Sequence, residues 1–76
     1  MGLRQAYRHG ENGRPGWRIG FAYDQERVEL LKKSIPHTER TWYPDEREWW
    51  VSEEYADVLE RLFPDFMEVR NQPQLF

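Results

Sequence analysis

The chain has no cysteine. No disulfide can brace it, and thiolate nucleophiles and zinc–thiolate centres are excluded with the disulfides. It also lacks any apolar run long enough for a membrane span or the core of a signal peptide. The expected compartment is a reducing cytoplasm. Histidine is scarce: His9 lies in a Gly-rich stretch and His37 follows a proline, a placement that suits neither metal ligation nor a base–nucleophile pair. Gly10, Gly13 and Gly16 precede the first aromatic strand, where a phosphate-binding loop would follow one. Asp45 and Glu46 are adjacent turn carboxylates rather than a separated acid–base pair. No metal, no cofactor and no catalytic set is expected, so the chain reads as non-enzymatic.

Excess positive charge is missing as well, the formal net charge being −3. The total conceals a gradient. Residues 1–20 carry four arginines against Glu11, a balance of +3, whereas residues 41–63 carry seven acids against Arg47 and Arg61, a balance of −5. Against these absences stands a high aromatic content, 16% in a chain that is 33% charged. With only 76 residues, about 60% of the unfolded surface can be buried. Large rings are one way for so small a core to reach adequate stability.

Residues 1–16, MGLRQAYRHGENGRPG, show no apolar periodicity and predict a flexible basic arm. WRIGFAY (17–23) alternates, with Trp17, Ile19, Phe21 and Tyr23 on one side, and predicts a strand. Asp24 then offers an N-cap, with Val28, Leu31 and Ile35 at helical spacing, Lys32 and Lys33 in the last turn, and Pro36 as the stop. ERTWY (39–43) and EWWV (48–51) predict a hairpin over the loop of Pro44, Asp45, Glu46 and Arg47. Ser52 caps a second helix whose stripe is Tyr55, Val58, Leu59, Leu62 and Phe63, ended by Pro64. Residues 65–70 predict a last short strand within a single domain spanning 17–70, and residues 71–76 a C-terminal tail. The expected fold is α+β, ordered β-α-β-β-α-β, an antiparallel or mixed sheet with two helices on one face.

A four-residue loop pairs Tyr43 with Glu48, Trp42 with Trp49 and Arg40 with Val51. Alternation then puts Trp42, Trp49 and Val51 on the helix-covered face, and leaves Trp50 and Tyr43 on the open one. Exposed rings with nearby arginine form a stacking platform for unpaired bases. The candidate binding residues are thus Trp50 and Tyr43, with Arg18 on the matching face of the first strand, Arg40, and the arm residues Arg14 and Arg8.

The aromatic strand, the capped helix and the stretch WYPDEREWWVS (42–52) together resemble the HARP domain, a module that accompanies Swi/Snf-type annealing helicases. The likeness covers roughly residues 17–63. It implies binding to DNA at single-strand/double-strand junctions beside a motor. In that family the position matched by Trp50 is commonly polar, which implies an exposed face there. The function expected is a small binding module for single-stranded or forked DNA or RNA, using the open aromatic face and the basic arm. The alternative is a protein-interaction or self-association module that uses the same rings, with a protein partner or a second copy in place of nucleic acid.

Overall fold

The computed structural model describes residues 2–70. Four strands, β1 (Leu3–Arg8), β2 (Gly16–Phe21), β3 (Arg40–Tyr43) and β4 (Glu48–Ser52), form one antiparallel sheet in the order β1-β2-β4-β3. Three helices, α1 (Gln25–Ser34), α2 (Ala56–Leu62) and α3 (Phe66–Arg70), join it, with single 3-10 turns at His37–Glu39 and Glu53–Tyr55. The fold is α+β, as expected, but the element order differs at both ends. The tail predicted for 71–76 lies outside the described residues.

The N-terminal segment is not an arm. Leu3–Arg8 pairs along β2, and the connection turns at Asn12 and Gly13, both at positive φ (52° and 76°). Glu11 and Arg14 exchange both backbone hydrogen bonds across that turn, at 2.8 and 2.9 Å. An Asn-Gly pair at left-handed φ is the chemistry of a tight hairpin turn. The strand escapes notice in sequence because its register shifts between Leu3 and Gln5. The buried residues Leu3 and Ala6 therefore fall three apart rather than at even spacing.

The C-terminal element is likewise a helix, not a strand. Phe66 is fully buried and Val69 packs against the same core, while Met67 and Glu68 face outward. That three-residue spacing suits a helix. The Phe66 N–H donates to the Phe63 carbonyl at 2.8 Å, carrying the chain round in a turn after α2. The sheet edge that a fifth strand beside β2 would need is already taken by β1.

Between these ends the elements follow the sequence. The Asp24 carboxylate accepts from the Glu26 and Arg27 amides, and Ser52 Oγ from the Glu54 amide. The core joins Ala6, Trp17, Ile19, Trp49 and Val51 of the sheet to Leu31, Ile35, Leu59, Phe63 and Phe66 of the helices. Across the ladder, Ala6 faces Ile19, which faces Trp49, which faces Trp42. Residues paired in this way share a sheet face, so all three helices cover the same side. β1 and β3 are the edges.

Candidate binding cleft

The hairpin register is the one that the loop length dictates: Arg40 opposite Val51, Thr41 opposite Trp50, Trp42 opposite Trp49, Tyr43 opposite Glu48. Arg18 lies directly opposite Trp50 on β2. Trp50, Tyr43 and Arg18 thus share the helix-free face, as the alternation requires. That face, however, is closed.

Trp50 is 1% exposed. The connection between β1 and β2 folds over it, and its Nε1 donates to the His9 carbonyl at 2.7 Å. Gly16 lies against the indole so closely that a Cβ there would sit 2.5 Å from ring atoms, and this is why the position has no side chain. The Arg14 guanidinium rests 5.5 Å from the ring centre and is ion-paired with Glu39, tying the hairpin connection to the 3-10 turn that precedes β3. Thr41 Oγ1 donates to Glu11 Oε2 at 2.6 Å and closes the same side. No stacking surface is available at Trp50.

Arg18 is also enclosed, at 8% exposure. Its Nη2 lies 2.8 Å from Glu48 Oε1 and 3.5 Å from Glu46 Oε1, and its guanidinium covers Tyr43 at 4.1 Å from the ring centre. The Tyr7 hydroxyl donates to the same Glu48 oxygen at 2.9 Å. Burial raises the Tyr7 hydroxyl above the ordinary tyrosine value; the hydrogen bond to Glu48 and the charge of that carboxylate raise it further, with Arg18 opposing. The group is a satisfied buried ion pair rather than a site. Arg8 and Arg40 are on the helix-covered side. Arg8 pairs with Glu53 and lies over Trp17, and Arg40 donates to the Ile35 carbonyl and lies over Trp49. The six predicted binding residues are therefore distributed through the packing of both faces, and no surface collects them.

The surface that does present aromatic rings is elsewhere. Trp42, expected in the core, is 45% exposed, and Tyr23 is 78% exposed. β3 is a four-residue edge strand that reaches past the helical cover, so the Trp42 ring leans on Trp49 (centroids 5.1 Å apart) and leaves its outer side bare. At this end of the sheet, Phe21, Ala22, Tyr23, Val28, Trp42, Pro44 and Trp49 line a cleft of about 320 Å³, with Arg4 and Arg47 at its margin. Arg4 reaches it through the β1 irregularity: its Nη2 donates to the Arg47 carbonyl at 3.2 Å, in the space left by Gly20, where a Cβ would stand 3.1 Å from that nitrogen. Arg47 closes the hairpin loop at φ 55°, a left-handed conformation that residues with a side chain seldom adopt. Among the described residues neither Arg4 nor Arg47 has a carboxylate within ion-pair distance.

A shallow apolar pocket with convergent polar groups is the usual form of a ligand site, and its size is at the lower end of the range for such sites, about 300–1,000 Å³. Among the described residues no three His, Cys, Asp or Glu side chains cluster as metal ligands, and no helix is long and apolar enough to cross a membrane. Comparison with known proteins finds no family model, no curated protein and no solved structure that matches the chain. In the sequence, Trp42 and Tyr23 were visible as rings, but their exposure was not. Both strands of the hairpin are short, and nothing local in the sequence marks β3 rather than β4 as the edge.

Proposed function

We propose that the chain is a small non-enzymatic binding module whose ligand is single-stranded nucleic acid, held at the Trp42–Tyr23 cleft and not across the face that contains Trp50. The observation that carries this reading is the coincidence of two exposed rings with two guanidinium groups that have no carboxylate partner among the described residues. Exposed aromatics stack on any unpaired base, at about 1–3 kcal/mol per base, while arginine supplies the phosphate contact. The likeness of residues 17–63 to the HARP domain points in the same direction.

The test is titration of the full chain with a single-stranded oligonucleotide, followed by tryptophan fluorescence over a salt series. The slope of log Kobs against log salt for a single strand should lie between about −0.7, if both guanidinium groups hold one phosphate, and about −1.4, if each neutralises its own. Absence of binding at low salt defeats the reading. The alternative of a protein partner is favoured by one observation: apart from the two arginines, the cleft lining is wholly apolar or aromatic. An apolar side chain of a partner would fill it, and that binding would be nearly insensitive to salt.

A further inference from the structure

The cleft, of about 320 Å³, has room for one base, and among the described residues no further exposed ring continues it for a nucleic acid strand. The other large rings of the sheet are covered: Trp50 by the hairpin connection, Tyr43 by Arg18, Trp17 by Arg8 and Arg70, and Trp49 by Arg40 and Trp42. Platforms that hold a strand set several rings in succession. Here the exposed rings occur at one place only among the described residues.

The charge distribution points the same way. Arg8, Arg14 and Arg18 are each taken up by a carboxylate, so they are not free to follow a phosphate backbone. Glu53, Glu54, Asp57 and Glu60 add negative charge along the 3-10 turn and α2. A net charge of −3 gives a long polyanion no overall attraction to the chain. Arg47 supplies an independent observation. Its φ of 55° is one that glycine adopts without cost, yet the chain keeps a long cationic side chain there, at the lip of the cleft. A strained non-glycine residue held at such a place is a pointer to function.

We infer that the cleft binds a single unstacked nucleotide, its base on Trp42 beside Tyr23 and its phosphate between Arg4 and Arg47. This rests on the nucleic-acid reading above and narrows it from a strand to one nucleotide. The same chemistry is offered by a free mononucleotide and by one nucleotide exposed in a strand.

The experiment is a length series of 5′-phosphorylated oligodeoxyadenylates, from the mononucleotide to sixteen residues, titrated into the full chain at low salt, with deoxyadenosine as the unphosphorylated control. One-nucleotide recognition predicts that affinity beyond the first one or two residues rises only with the number of equivalent sites. It also predicts at least tenfold weaker binding of deoxyadenosine. If the mononucleotide binds with the same per-site affinity as the longest oligomer, a free nucleotide suffices as ligand; if binding begins only at two residues and from there rises no more than statistically, the ligand is a nucleotide within a strand. Affinity that climbs steeply up to eight or more residues overturns the inference and leaves the nucleic-acid reading standing. Absence of binding at every length overturns both.

Two variants locate the site. Trp42→Ala should weaken binding at least tenfold. Arg47→Gly should weaken it several-fold while leaving the melting temperature unchanged or higher, because glycine relieves the positive φ. Undiminished binding in both variants places the ligand elsewhere and overturns the inference.

Discussion

At the scale of single residues, the two tryptophans that flank the hairpin exchange the roles that alternation alone would assign. Trp50 is on the helix-free face yet buried, and Trp42 is on the helix-covered face yet half-exposed. Trp50→Ala should therefore act as a core truncation, removing about 3–5 kcal/mol of stability, as read by urea unfolding. A variant that keeps full stability but loses a ligand would show that the loop does not seal this ring. Tyr7 gives a pH-dependent expectation. Its hydroxyl is protonated in both the folded and the unfolded chain below about pH 10, the ordinary tyrosine value. Burial and the Glu48 carboxylate raise it in the fold, so the unfolded chain releases this proton first as pH rises. The Tyr7 contribution is thus fully present below about pH 10 and is lost as pH climbs through the raised folded value. Tyr7→Phe should flatten the stability profile above about pH 10 relative to the wild type. The check is denaturant unfolding of both chains at matched pH, and identical slopes would contradict it.

At the scale of elements, β1 is an integral edge strand. It supplies Leu3 and Ala6 to the core, covers one side of β2, and is fixed at its start by the Leu3 amide donating to Asp65 Oδ2 at 2.9 Å. Removing residues 2–8 should abolish the cooperative fold, leaving β2 with an unpaired edge. The measurement is far- and near-ultraviolet circular dichroism of the shortened chain. A native-like spectrum would mean that the segment is dispensable. The central elements were legible because their signals are local: the Asp24 cap, the Val28, Leu31 and Ile35 stripe, and a four-residue loop whose length sets the register. The end elements were not. A bulge broke the alternation of β1, and a five-residue helix is too short to separate its period from that of a strand.

At the scale of the whole molecule, the charge gradient along the sequence closes on itself. The basic front lies against the acidic second half, with Arg8 bonded to Glu53 and Arg18 to Glu46 and Glu48, while Arg14 reaches Glu39 just before β3. A long-range hairpin sheet joins segments that the sequence keeps apart, so opposite charges read as a binding arm and an acidic surface become internal ion pairs. Among the four arginines of the front, Arg4 alone has no carboxylate within ion-pair distance among the described residues, and it lies at the margin of the sheet-end cleft.

The sequence by itself determined the α+β class, the limits of α1, the hairpin register, and which residues of β3 and β4 share a face. All of these follow from spacing and turn chemistry within about a dozen residues. Only the tertiary structure decided which rings meet water. Exposure depends on what is laid over a strand from elsewhere in the chain: the loop of residues 9–16 folded across Trp50, and, among the described residues, no helix extended over Trp42. Periodicity assigns a side chain to a face, but the strand order β1-β2-β4-β3 and the reach of its connections decide whether that face is covered.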